Sequence, residues 1–286
     1  MSAVVEITSG IVRDLPEHAY HSQPALSSTG ARLLLDSPAR FHHAQNHPQP
    51  HKDAYDLGTA VHSRVLGTGT IAVAYPAEHL TPSGAVSTKQ ATVEWVAEQR
   101  ALGQILLTAT QLEQVNGMSE SVLAQPQARA LFEQSGIAEA SVFATDPATG
   151  VKMRARFDYL PDFTVTDPWS VDLKTTGKSA APHEFLKTVA NFGYHIQQEW
   201  YLDTYKMQTG LIDLRMKFVV VETAAPYLVA VHELSDQFAE IGSSAGARAR
   251  ALYADCVKAD SWPGYPTTGD PLQPPMWAIY AEEEFA

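Results

Sequence analysis

Asp172-Leu173-Lys174 sets a carboxylate and an ammonium two residues apart, and in an extended strand that spacing turns both side chains to one face. Asp158 ends the preceding apolar-polar alternation and comes beside Asp172 if the two strands are neighbours. Two carboxylates at one point repel, and one lysine balances only one of them. A hard divalent cation resolves the conflict. Mg²⁺ takes oxygen ligands and keeps several waters, so Asp158, Asp172 and the backbone carbonyl of Leu173 form a candidate metal set beside a phosphate, with Mn²⁺ expected to substitute. Lys174 would orient or help deprotonate an attacking water and offset phosphate charge. Taken alone, Asp-x-Lys occurs by chance in many proteins and reads first as a surface ion pair at a strand end.

The elements that must position these residues are strands over 141–144, 151–158 and 170–174, with turn chemistry at Asp146-Pro147-Ala148-Thr149-Gly150 and at Asp167-Pro168. Helices are expected over 182–189 and 195–207, strands over 214–221 and 227–232, and a long helix from a cap at Ser235 to Tyr253. Upstream, Ser27 or Ser28 caps a helix that Asp36-Ser37-Pro38 ends, and the polar stretch His42 to Asp53 reads as loop. Leu57, Ala60, Val61 and Val65 make a helical stripe over 55–66, stopped by Gly67-Thr68-Gly69. Amphipathic helices over 88–100 and 110–124 flank a break near Gly103. This is a mixed α/β (α+β) core preceded by a helical region. One domain is expected over 1–286: a mainly helical part at 1–137, a catalytic core at 138–265 and a tail at 266–286.

Asp158, Asp172-Leu173-Lys174-Thr175-Thr176 and Tyr194-His195-Ile196-Gln197 resemble the PD-(D/E)xK nuclease superfamily, most closely its RecE-type branch of exonuclease VIII and phage or prophage homologues. Gly58-Thr59-Ala60-Val61-His62 resembles the family's Gly-x-x-x-His helix, which implies His62 as a metal ligand. Gln197 and Tyr201 resemble the Gln-x-x-x-Tyr pair of RecB-like nucleases, four apart on one helix face. Tyr20-His21, Leu26-Ser27 and Ser37-Pro38-Ala39-Arg40-Phe41 fit the same pattern, so the resemblance runs from Tyr20 to Tyr265. Arg156-Phe157-Asp158 lacks the proline of the superfamily's name, and Asp172 stands where Glu is the alternative; both departures keep the oxygen ligands.

The resemblance implies a restriction-endonuclease-like core of mixed sheet flanked by helices, with a catalytic set of Asp158, Asp172, Lys174, His62 and Gln197. It implies Mg²⁺-dependent hydrolysis that leaves a 5′-phosphate and a 3′-hydroxyl. The substrate would be linear duplex DNA, degraded from its ends 5′ to 3′ to leave 3′ tails for a RecT-like annealing protein. A ring-shaped homo-oligomer, a tetramer as in RecE, is implied too. A RecB-like nuclease of other polarity and a catalytically inactive DNA-binding module remain alternatives.

Several residues stay open between two readings. Glu139 is a further acidic ligand or a solvated strand end. Thr175 and Thr176 donate to phosphate or continue a β-branched strand, His195 and Tyr201 touch DNA or pack, and Trp169 or Trp200 stacks on bases. His42, His43, His47 and His51 lack acidic or cysteine partners at helical spacing and read as a polar loop. Gly67-Thr68-Gly69-Thr70 lacks the Gly-Lys that a phosphate loop needs, and Glu282-Glu283-Glu284 reads as a solvated tail.

With 45% hydrophobic and 18% charged residues in 286, disorder over the whole chain is excluded. The single cysteine, Cys256, excludes an intramolecular disulfide, a cysteine-based zinc site and a four-cysteine iron–sulfur cluster. A net charge of −12 argues against a protein that coats nucleic acid or anionic membrane. Residues 147–217, which hold the catalytic strands, nevertheless carry nine Lys/Arg against eight Asp/Glu, so the acidic surplus lies elsewhere. Neither a membrane-length apolar run nor a secretory start is visible, and the cytoplasm of a bacterial host is the expected location.

Overall fold

The computed structural model describes residues 6–47, 53–70, 72–265, 269, 271–276 and 279–280 of the chain. Strand β1 (Gly10–Val12), helix α1 (Glu17–His21) and strand β2 (Leu26–Ser27) lead into α2 (Ser28–Asp36). Ser27 caps α2 by accepting the Gly30 amide at 3.1 Å. Ser37 caps α3 (Pro38–Asn46), where Pro38 occupies a first-turn position whose missing N–H costs nothing. Asp36-Ser37-Pro38 thus ends one helix and starts another, and the expected loop from His42 is corrected: α3 runs on to Asn46. Tertiary contacts override its polarity. Phe41 packs on Tyr253 and Trp262, and His42 stacks on Trp262 with ring centroids 5.0 Å apart. His51 and the Glu282-Glu283-Glu284 tail lie outside the described residues.

Next come α4 (Asp53–Leu66), β3 (Ala72–Ala74), α5 (Gln90–Ala101), β4 (Ile105–Leu107), α6 (Ala109–Ala124) and α7 (Pro126–Glu133). The break expected near Gly103 holds a strand: Ile105, Leu106 and Leu107 are all buried and pair in parallel with β3. Three apolar residues in a row carry no period, so nothing in the pattern separates them from a helix end. A capping box of Thr108 and Gln111 then opens α6.

The remaining elements are β5 (Gly136–Thr145), β6 (Lys152–Pro161), β7 (Trp169–Thr176), α8 (Pro182–Phe192), α9 (Tyr194–Thr209), β8 (Arg215–Glu222), β9 (Val229–His232) and α10 (Asp236–Ala259). Among the described residues seven strands form one mixed sheet in the order β1-β5-β6-β7-β8-β9, with β2 parallel to β6. β7 and β8 are parallel; β5, β6, β7 and the pair β8/β9 run antiparallel. Asp146 builds the β5–β6 turn, accepting Thr149 Oγ1 at 2.7 Å and the Gly150 amide on its carbonyl at 2.8 Å.

Helices cover both faces. On one, Val61 and Val65 of α4, Val115, Met118 and Val122 of α6 and Leu131 of α7 pack on Val171, Leu173, Val219 and Val221. On the other, Phe185 and Val189 of α8 and Tyr205 of α9 pack on Phe157, Phe218 and Val220. At two facing positions the strand alternation slips. Ile137 and Ala140 meet the same core, as do Phe157 and Leu160, although an unbroken strand would place each pair on opposite sides. Between them lie Glu139, with φ at 50°, and Asp158.

Candidate active site

The β6–β7 ladder pairs Tyr159 with Val171, and the same register sets Asp158 opposite Asp172. There the ladder opens. Asp158 Oδ2 accepts the Leu173 amide at 2.6 Å, standing where a backbone carbonyl of β6 would otherwise be. A strand residue sends its N–H and C=O to the same edge, so the Leu173 carbonyl faces this gap as well.

Asp172 is 2% exposed. Its Oδ1 accepts Gln197 Nε2 at 2.5 Å. Its Oδ2 forms an ion pair with Lys174 Nζ at 2.5 Å. Lys174 Nζ donates to Gln197 Oε1 at 3.2 Å and sits 4.6 Å from the Tyr194 ring centroid. The two ends of one buried amide on α9 therefore hold both members of the Asp-x-Lys pair. Burial raises the Asp172 pKa, with Asp158 adding to the rise against the opposing Lys174. For Lys174, burial pulls downward, but Asp172 and Asp158 outweigh it and hold its pKa above the usual lysine value.

His62 reaches the gap from α4. Gly58, one turn earlier, lets that helix lie against the end of β7: a Cβ there would stand 3.3 Å from Thr175 Oγ1. His62 Nδ1 is 3.5 Å from Asp158 Oδ2. Burial would lower the imidazole pKa, yet Asp158 prevails and raises it; reciprocally, the Asp158 pKa is lowered by His62 and Lys174 and by the Leu173 amide, against the upward pull of burial.

An open cleft of about 1270 Å³ runs past Gly58, His62, Glu139, Arg156, Asp158, Thr175 and Tyr201. Burial raises the Glu139 pKa and Asp158 adds to it, although Arg156 stands 3.9 Å away. Arg154 and Arg156 fasten the segment 15–23 along the rim. Arg156 donates to the Leu15 carbonyl at 2.6 Å and lies over the Tyr20 ring, while Arg154 donates to the carbonyls of Tyr20, His21 and Gln23.

The fold thus gathers Asp158, Asp172, Leu173, Lys174, His62 and Gln197, with Glu139, Thr175 and Tyr201 at the cleft. Others are placed elsewhere. His195 is buried, bonded to the Val189 carbonyl and packed on Phe238, so it is a helix-packing residue. Thr176 uses its hydroxyl to accept the Lys178 amide in the turn after β7. Trp200 is fully buried and donates to the Arg154 carbonyl, which removes it as a base-stacking residue; Trp169 carries Arg215 and Lys217 over its ring. Tyr201 sets its ring edge-on to Phe157. Sequence spacing missed Arg156 and Tyr194, because their roles arise from a distant segment and from a helix start respectively.

The donors fit a hard divalent cation in kind: two carboxylates across one ladder, a carbonyl facing the gap and an imidazole. Among the described residues no three His, Cys, Asp or Glu side chains already converge as a metal cluster. Asp172 leans to Lys174 and Gln197, and Asp158 to His62 and the Leu173 amide.

A family model described as a PDDEXK-like domain of unknown function (DUF3799) matches residues 27–270. The chain belongs to this family. The DUF3799 match takes in every gathered site residue, and the expected PD-(D/E)xK architecture, a mixed sheet flanked by helices, is the one observed. No curated protein matches the sequence. Among solved structures, an exonuclease candidate from Eubacterium rectale shares the fold with a TM-score of 0.55 at 12% identity, over 90% of this chain and 97% of its own. A phage-related exonuclease from Haemophilus somnus 129PT scores 0.30 at 10% identity, over 71% and 95%. An alkaline exonuclease from Laribacter hongkongensis scores 0.23 at 17% identity, over 72% and 95%. Among the described residues no helix is long and apolar enough to cross a membrane.

Proposed function

We propose that this DUF3799 protein is a Mg²⁺-dependent exodeoxyribonuclease of RecE type, acting on ends of linear duplex DNA. The observation that carries the reading is the opened β6–β7 ladder, where Asp158 faces Asp172 and Lys174 follows on the same strand face. Asp158, Asp172, the Leu173 carbonyl and His62 would hold the cation, with Glu139 as a further ligand. When bound, it supplies Lewis-acid polarisation of a phosphate oxygen and an acidified water.

The chain's own groups do the rest. Lys174, its pKa held up by two carboxylates, stays protonated at neutral pH and offsets charge on the phosphate. Gln197 fixes Asp172 and Lys174 at one separation. The Thr175 hydroxyl, at the cleft wall, would donate to a phosphate oxygen. Degradation from 5′ to 3′, a RecT-like annealing partner and a tetrameric ring in a bacterial cytoplasm complete the reading, since a ring around DNA would make digestion processive.

A time course with Mg²⁺ on linear and on covalently closed circular duplex tests the reading. Loss of the linear form, survival of the circle, and no digestion by Asp172→Ala are expected; a linear duplex equally stable with both proteins refutes it. Comparing 5′-labelled with 3′-labelled duplexes decides polarity, and light scattering decides the ring.

A further inference from the structure

Arg32 extends from α2 to the corner where α8 passes into α9. It donates to the Phe192 carbonyl, to Thr29 Oγ1 at 3.1 Å and, through Nε, to the Ser28 carbonyl at 3.4 Å. All three acceptors are neutral, and among the described residues no carboxylate forms an ion pair with it. A guanidinium has five N–H donors, so two remain for a ligand, and its charge meets no carboxylate in contact among the described residues.

The corner is shaped for this side chain. Gly193 has φ at 65°, and a Cβ there would come 2.8 Å from Arg32 Cδ. Glycine therefore makes the left-handed turn and clears the path of the arginine. The next residue is Tyr194, whose ring carries Lys174 at 4.6 Å, so Arg32 and the site lysine approach the same two-residue corner. Thr29 and Phe192 are exposed, which leaves the guanidinium reachable from solvent. Burial lowers the Arg32 pKa while Tyr201, Tyr194 and Asp172 push it back up, consistent with a charge bordering the site.

A planar fork with free donors matches the paired oxygens of a phosphodiester, and arginine sheds its hydration more readily than lysine. We propose that Arg32, with the Thr29 hydroxyl and the Phe192–Gly193 corner, forms a phosphate subsite that grips a DNA backbone phosphate neighbouring the scissile one. The inference rests on the nuclease reading above and adds the second point at which the strand is held.

The test is binding of a short duplex followed by fluorescence anisotropy, with Ca²⁺ replacing Mg²⁺ to suppress cleavage, over a series of salt concentrations. Arg32→Gln should weaken binding about tenfold and lower the slope of log affinity against log salt by about 0.7 to 0.9, the contribution of one phosphate contact. Arg40→Gln, on the exposed face of α3 and paired with Asp36, should change neither. Arg32→Lys should keep most of the slope and lose affinity, because a point charge replaces the fork. Wild-type slope and affinity in Arg32→Gln overturn the subsite while leaving the nuclease reading intact; a wild-type protein that neither binds nor cuts DNA overturns both. If Arg32→Gln does not fold, Arg32→Lys carries the test, and binding as tight as wild type overturns the subsite.

Discussion

Replacing Gln197 by Leu keeps side-chain bulk and removes both ends of the amide that joins Asp172 to Lys174. Asp172 Oδ1 loses its 2.5 Å bond, Lys174 loses its 3.2 Å bond, and Asp172 keeps only the ion pair of its Oδ2 with Lys174. Because the carboxylate is 2% exposed, water does not replace what is lost. One strong and one weaker bond to charged groups set the cost at about 2 to 4 kcal/mol, a fall in melting temperature of roughly 4 to 16 °C for a domain of this size. Gln197→Glu sharpens the test. Its carboxylate would face Asp172, so its folded-state pKa should rise above the unfolded value near about 4.3. Stability is then fully present below that value and lost as pH rises through the folded pKa, so acidification should close the melting gap to wild type. Calorimetry from pH 4 to pH 8, with digestion of linear duplex measured alongside, decides the matter. A Leu variant melting within about 1 °C of wild type, or a Glu variant whose deficit does not shrink on acidification, refutes the bridging role.

Gly58→Ala should keep or slightly raise the melting temperature, since helical alanine gains up to about 1 kcal/mol over glycine. DNA digestion should fall severalfold as α4 and His62 move off β7; undiminished digestion rules out the close approach as the reason for glycine. Arg250 pairs with Asp146 at 3.2 Å and Asp203 at 3.0 Å, so Arg250→Met should cost about 3 to 5 kcal/mol, and a chemical-denaturation loss below 1 kcal/mol refutes that. Burial raises the pKa of the Cys256 thiol. A thiol-specific disulfide reagent at pH 8 should therefore react slowly with native protein and quickly in denaturant; fast native reaction contradicts the packing.

Much of the site was legible because chemistry and period coincide there. Asp172 and Lys174 share a strand face by parity alone, and Gln197 and Tyr201 share a helix face by the four-residue repeat. The long helix over Asp236–Ala259 announced itself through its Ser235 cap. What stayed hidden depends on contacts between distant segments. The helix through His42 is held by Trp262, and the role of Arg156 by a carbonyl at Leu15. The slip at Glu139 and Asp158 breaks the very alternation from which strands are read, so local pattern points away from it. His195 and Trp200 share the helix of Gln197 but face its packing side, a distinction set by α10, whose Gly242 lets it close on the His195 carbonyl.

The Leu173 amide proton is bonded to the Asp158 carboxylate rather than to another peptide group. Its chemical shift and exchange rate therefore report directly on the electron density of Asp158. Here a single backbone resonance, native to the chain and buried in its sheet, would register cation arrival in an otherwise intact protein, separately from DNA binding at the cleft and from any turnover.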